Sequence, residues 1–273
     1  MRLLKQLVPV ALVAFAGGAI VGAVPGSPLL TLVLGVATAA LAVFVYARAV
    51  RWSERRAPVE VAAQGAVAAV GRGLLIGTAM FAAVIANIAF LGGYRVDGLG
   101  SVTGAAAQFG FMAAAAVTEE LIFRGILFRI VEGRTGTWIA LVLTGLVFGL
   151  MHLTNQHASL WGAIAIAIEA GGMLAAAYAA TRTLWVPIGV HFGWNFAAAG
   201  VFGTEVSGNG ATQGLLHGVT SGPALLTGGE FGPEASPYAV VFGLLLTVAF
   251  MWLARRRGNV IPLRRRATAT LPR

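Results

Sequence analysis

Cysteine is absent from this chain of 273 residues. That excludes disulfides and thiolate metal sites, although it says little about redox compartment for a protein that resides in a bilayer. Charge is scarce too: 11% of residues are charged against 58% hydrophobic. The mean hydropathy of +0.83 lies outside the usual range of soluble domains. Period-two alternation is missing and the apolar runs are too long for barrel strands, which removes a porin-like barrel. Lys5 is the single lysine among 19 Lys and Arg residues, a bias that, with abundant Ala and Gly, points to a GC-rich bacterial genome. Internal repeats and spans broken by proline are also absent, against the usual pattern of inverted-repeat transporters.

Apolar runs long enough to cross a bilayer, roughly 20 residues each, lie near 7–24, 28–47, 73–93, 104–130, 137–153, 158–180, 184–203 and 236–254. They predict an all-α polytopic membrane protein, a bundle of about eight transmembrane helices forming one domain over 1–273. Many Gly and Ala within the runs permit close helix approach. The first run, preceded by Arg2 and Lys5, resembles a secretory signal. It reads instead as a retained helix, because its removal leaves an odd number of spans. The segment from Gly203 to Ala235, rich in Gly, Ser and Pro, reads as a flexible external loop.

The net charge of +9 raises the question of nucleic acid, and its distribution answers it. Arg48, Arg51, Arg55, Arg56 and Arg72 lie between the second and third runs, Arg129 and Arg134 after the fourth, and Arg182 after the sixth. Arg255, Arg256, Arg257, Arg264, Arg265, Arg266 and Arg273 follow the last. With eight alternating helices all of these fall on one side, and only Arg95 on the other. The positive-inside rule then puts both termini in the cytoplasm. The basic charge marks topology, with anionic lipid headgroups as its partner and no nucleic acid.

Polar groups inside the spans are costly, face the bundle interior and mark function. In "EELIFR", Arg124 stands four residues after Glu120 and can neutralise it on one helical face, whereas Glu119 points about 100° away without a cation on its own helix. "FGLMH" ends at His152 in the fifth run, and "HFGWN" sets His191 and Asn195 on one face of the seventh. Glu119, His152, His191 and Asn195 from three helices can therefore converge. A carboxylate with two imidazoles suits the holding or deprotonation of a water, and an Asn can donate to a developing oxyanion. Glu119, His152 and His191 are equally a ligand set for a divalent metal such as zinc. Interhelical hydrogen bonding alone is the plain alternative for each group. Glu169, in the sixth run, is a buried acid with no evident partner. His157 and His217 fall in predicted loops, in solvent, and Trp185 and Trp194 read as packing or interface anchors.

These stretches resemble the motif set of the CAAX-protease and bacteriocin-processing family of intramembrane proteases (CPBP or Abi-type), relatives of the prenyl-protein CAAX endopeptidase. That family carries two adjacent Glu with Arg four after the second, then Phe with His four later, then His with Asn or Asp four later. Here they stand as Glu119-Glu120-Arg124, Phe148-His152 and His191-Asn195, in family order, within a core of about 104–203. The resemblance implies peptide-bond hydrolysis in the membrane by water activated at Glu119 and His152, with His191 and Asn195 on the oxyanion and Glu120 with Arg124 as a structural pair. It implies as partners the lipid bilayer and a peptide or membrane-protein substrate. Members are often described as metalloproteases, yet "HExxH" is lacking, and the expectation is a metal-free glutamate mechanism. Two rival readings are a non-catalytic scaffold or immunity protein of the same fold and an ion- or proton-coupled transporter.

Depth is the point of friction. Counted at about 1.5 Å per residue from the predicted cytoplasmic ends, Glu119 and His191 lie roughly 16 and 10 Å deep but His152 about 22 Å.

The arginine distribution predicts a bacterial plasma-membrane protein with both termini inside. Reporter fusions at each end should both report cytoplasm; an external C-terminus overturns this topology.

Overall fold

The computed structural model describes residues 1–210 and 212–263; Arg264, Arg265, Arg266 and Arg273 lie outside them. The chain is an all-α polytopic integral membrane protein. In order, it comprises α1 (Arg2–Gly22), α2 (Pro28–Glu54), α3 (Ala66–Phe90), β1 (Tyr94–Leu99) and α4 (Val102–Glu120). A π-helical stretch, Leu121–Phe128, carries α4 directly into α5 (Arg129–Thr135). Then come α6 (Thr137–Met151), α7 (Leu160–Ile166), a second π-helical stretch Ala167–Gly172 and α8 (Met173–Thr181). The chain continues with α9 (Trp185–Phe196), a third such stretch Ala197–Val201, β2 (Leu216–Thr220), α10 (Ala224–Thr227) and α11 (Pro237–Arg256).

Among the described residues, six helical segments are long and apolar enough to cross a membrane: Arg2–Gly22, Pro28–Glu54, Ala66–Phe90, Thr137–Thr154, Leu160–Thr181 and Pro237–Arg256. The other two predicted spans differ from them for identifiable reasons. The fourth carries Glu119, Glu120 and Arg124, and the seventh, α9 with its π-helical end, is short and buried on nearly every side.

Small residues set the helix spacing. Gly73 and Gly77 on α3 face Gly189 and Gly193 on α9, each pair four apart and so on one face. A Cβ at Gly77 would stand 2.1 Å from the Val190 carbonyl oxygen, and one at Gly193 would stand 2.5 Å from that of Leu74. Gly35 of α2 and Gly110 of α4 meet in the same way, at 2.1 Å. Without a hydrophobic driving force between helices in lipid, this backbone approach is what holds such pairs.

At the ends of α1, α2 and α5 a polar cluster does comparable work. Arg129 Nη1 donates to both oxygens of Glu54 at 2.8 Å and Nη2 to Gln6 Oε1 at 2.8 Å. Arg56 pairs with Glu60 at 2.8 Å, and the Tyr46 hydroxyl donates to Glu60. Burial pushes the Glu60 carboxyl up, but hydrogen bonds from Arg56 and Tyr46 outweigh it and hold the group below its ordinary range. Because the folded value is depressed, the contribution to stability is complete above the ordinary glutamate pKa and is lost as pH falls through the lower one. Arg129 is thus a tie between three helices as well as a charge on the basic side. Arg182 likewise pairs with Glu132 at 2.6 Å.

Two expectations are corrected. The fourth helical segment runs to Thr135, five residues past the predicted 130, because α5 extends the helix to Gly136, whose φ of 85 ends it. Also, the segment after Gly203 is not a slack loop. β2 pairs antiparallel with β1, from Tyr94 opposite Thr220 to Leu99 opposite Leu216. Val206, Ser207, Phe231 and Glu234 are buried. Gly228, Gly229 and Gly232, at φ 84, 62 and 100, make the tight turns that fold this segment back, a backbone region glycine enters without strain.

The α3–α9 seam generates a stability prediction. Gly77→Leu or Gly193→Leu should lower the detergent-solubilised melting temperature sharply, since overpacking typically costs about 1–3 kcal/mol or more. Gly71→Ala, where a Cβ meets nothing within 4 Å, should not lower it. Equal melting temperatures for all three variants would refute the seam's role.

Candidate active site

Glu119 and Glu120 end α4, and the π-helical stretch that follows carries Arg124. Glu120 and Arg124 are 0% and 2% exposed and their side chains meet at 2.7 Å. The anticipated i,i+4 pair therefore forms. Its surroundings extend further than the sequence indicates. Glu120 Oε1 also lies 2.9 Å from His191 Nδ1, and Arg124 Nη2 donates to the carbonyls of Ala170 and Gly171 at 2.9 and 3.1 Å. Those carbonyls belong to the second π-helical stretch, whose altered ladder leaves local acceptors open to a side chain. Arg124 also stacks 4.6 Å from the centre of the Phe148 ring, so the guanidinium is met by an anion, two carbonyls and an aromatic face.

Hydrogen-bond partners fix the imidazole chemistry. The Phe148 carbonyl can only accept, so His152 Nδ1, 2.8 Å from it, carries the proton. In the neutral ring Nε2 is then the nitrogen with a lone pair. The same logic applies to His191, whose Nδ1–H donates to the Glu120 carboxylate. Its Nε2 lies 3.9 Å from Glu119 Oε2. Glu119 is 35% exposed at the side chain, in contrast to its buried neighbour.

A cavity of about 570 Å³ is lined by Glu119, His152, His191 and Asn195. All four predicted residues thus border one space, reached from α4, from the turn that ends α6 and from α9. The counted difference in depth does not keep Glu119, His152 and His191 from lining the same cavity. α9 starts beside Glu60, whose carbonyl accepts from Leu184 N at 2.8 Å, and Glu60 lies 3.5 Å from Arg129.

Two acids join this cavity. Glu169, without a partner as the sequence indicates, lines it, and so does Glu234, a residue that sequence reasoning assigned only to the loop. Glu234 accepts from Trp194 Nε1 at 2.7 Å, from the Ser207 hydroxyl at 2.9 Å and from the Ser207 backbone N–H. Burial is the foremost influence on its carboxyl and raises it, against these hydrogen bonds. The only available signal was an acid directly before a span in a segment without cations. Trp194 is therefore both a core residue, edge-on to Phe81 at 5.0 Å, and a donor to Glu234. Trp185 donates to the Ala62 carbonyl. His217 is exposed as expected, whereas His157 is half-buried between Glu205 and Glu230, at 3.9 and 3.6 Å.

Among the described residues no three His, Asp or Glu side chains stand together as a single ion would require. Glu119, His152 and His191 border the cavity without forming such a set.

Residues 101–197 match the Rce1-like family of type II CAAX prenyl endopeptidases. A Bacillus subtilis (strain 168) protein named "Putative membrane peptidase YdiL" is 33% identical over 79 residues, which cover 29% of this chain and 30% of that protein. The match thus spans less than a third of that relative's length. No solved structure matches the chain. Glu119, Glu120, Arg124, Phe148, His152, His191 and Asn195 all lie inside residues 101–197, the stretch that is similar to the Rce1-like type II CAAX prenyl endopeptidases.

Proposed function

We propose that the protein is an intramembrane endopeptidase that hydrolyses a peptide bond of a membrane-associated protein or peptide. One observation carries the reading: a single cavity among membrane helices is bordered by Glu119, His152, His191 and Asn195, a base set and a donor set of the kind acyl transfer to water needs. Glu119 and the lone pair on His152 Nε2 hold and deprotonate the water, which attacks the scissile carbonyl. Asn195 donates to the oxyanion, and His191 joins it when Nε2 is protonated. Glu120 and Arg124 keep His191 in place. The reaction proceeds without a metal in this proposal, and the protein sits in a bacterial plasma membrane with its termini in the cytoplasm.

Roles within the adjacent glutamates separate experimentally. Glu120→Ala leaves Arg124 buried without its anion, a change that typically costs about 3–5 kcal/mol, so yield and melting temperature should drop. Glu119→Gln should preserve both and abolish most cleavage, since loss of a general base costs about 10²–10⁴ in rate. A Glu119→Gln protein less stable than Glu120→Ala would reverse the assignment.

Asn195 and the metal question are addressed on purified protein cleaving a peptide library in liposomes. Asn195→Ala should slow turnover by about 10²–10³, and Asn195→Asp, which sets a charge against the oxyanion, should be at least as damaging. Metal analysis should find no stoichiometric ion. Bound zinc whose removal abolishes activity and whose return restores it would recast His152 and His191 as ligands.

A further inference from the structure

Glu169 has no place in the mechanism above, and its setting is unusual. It is 1% exposed, its Oε1 has no hydrogen-bond partner among the described residues, and it borders the same cavity as Glu119 and His152. Packing holds its backbone: a Cβ at Gly243 of α11 would stand 2.4 Å from the Glu169 Cα, so α11 lies directly against the second π-helical stretch. Glu234 borders the cavity from the external segment, its position fixed by Trp194 and Ser207. With Glu119, three carboxyl groups thus line a space whose described lining contains no Lys or Arg. The nearby guanidinium, Arg124, is consumed by Glu120 and two backbone carbonyls. Gln108 Oε1, another lining residue, is likewise an acceptor without a partner. The cavity is therefore rich in acceptors and carboxyls and has no Lys or Arg in its described lining, while part of its wall, including Phe111, Met112 and Leu174, is apolar.

A buried carboxyl that no protein group satisfies is costly unless a partner arrives. The partner that fits here has a long apolar stem and a cationic head, because the stem meets the apolar wall and the head meets the acids. Resting on the endopeptidase reading, we propose that Glu169, supported by Glu234, is a specificity-determining residue that receives an Arg or Lys side chain of the substrate next to the scissile bond. A site with fixed buried acceptors discriminates strongly against a substrate that lacks the matching donor. It would thereby distinguish chains with a basic residue near the membrane from purely apolar spans.

The test uses the full-length protein in liposomes and paired peptides that differ only in arginine against citrulline, its neutral near-isostere. Wild-type protein should cleave the arginine peptide with at least about tenfold higher kcat/KM, and Glu169→Gln should bring the ratio near one. A wild-type ratio near one, or an unchanged ratio in Glu169→Gln, overturns the proposal. A second arm separates this proposal from the endopeptidase reading. Fluorescence anisotropy measures binding of the same labelled peptides to Glu119→Gln and to the Glu119→Gln/Glu169→Gln double variant. If no peptide is cleaved by wild-type protein the endopeptidase reading fails, while tighter binding of arginine than citrulline, lost in the double variant, still supports the cation site. Equal binding of the two peptides to Glu119→Gln rejects it.

Discussion

The carboxylate of Glu120 is the junction on which the site depends. One oxygen serves Arg124 at 2.7 Å and His191 at 2.9 Å, so α4, the π-helical stretch after it and α9 share one buried anion. Desolvating such groups costs several kcal/mol per ion, and close pairing with additional hydrogen bonds offsets it. Arg124 gains further partners in the Ala170 and Gly171 carbonyls and the Phe148 ring, which recruits the sixth and fifth predicted spans into the same knot. Its product is orientation: the His191 tautomer is set by Glu120, leaving Nε2 on the side of Glu119.

Such a knot tolerates no slack in helix spacing, and the glycine seams supply the rigidity. Gly73, Gly77, Gly189 and Gly193 bring α3 and α9 to backbone contact, and His191 and Asn195 lie between and beyond those α9 glycines on the same helix. Polar ties at the ends of the bundle, from Arg129 to Glu54 and Gln6 and from Arg182 to Glu132, fix where each helix begins. The polar groups at the centre are thus positioned by close packing along the helices and by ion pairs at their ends.

Much of this was legible in the residues themselves. Span positions follow from hydropathy, and Glu120 with Arg124 follows from helical periodicity alone. The grouping of Glu119, His152, His191 and Asn195 needed only the premise that costly polar groups in lipid seek one another. What stayed hidden depends on contacts distant in the chain. Glu234 reaches Trp194 because glycine turns fold the segment after Gly203 back onto the helices, and no local pattern encodes where such a segment returns. Arg129 read only as a topological marker because Gln6, Glu54 and Glu60 are polar residues near helix ends, where solvent is the default partner. The length of α5 was missed because Arg129, Glu132 and Arg134 look like a loop by hydropathy, although their charges are paired or face outward.

The π-helical winding at Leu121–Phe128 has a further consequence for the phase of the helix that carries it. Gly110 and Arg129 both meet α2, at Gly35 and at Glu54. In an unbroken α-helix, turning 100° per residue, they would stand about 100° out of register. Wider turns advance fewer degrees per residue and take up part of that offset. The stretch therefore acts as a phase correction that brings the Arg129 side chain to Glu54 at the end of α2, while Glu119 and Glu120, just before the correction, are turned to different surroundings: one toward the open cavity, the other into the ion knot.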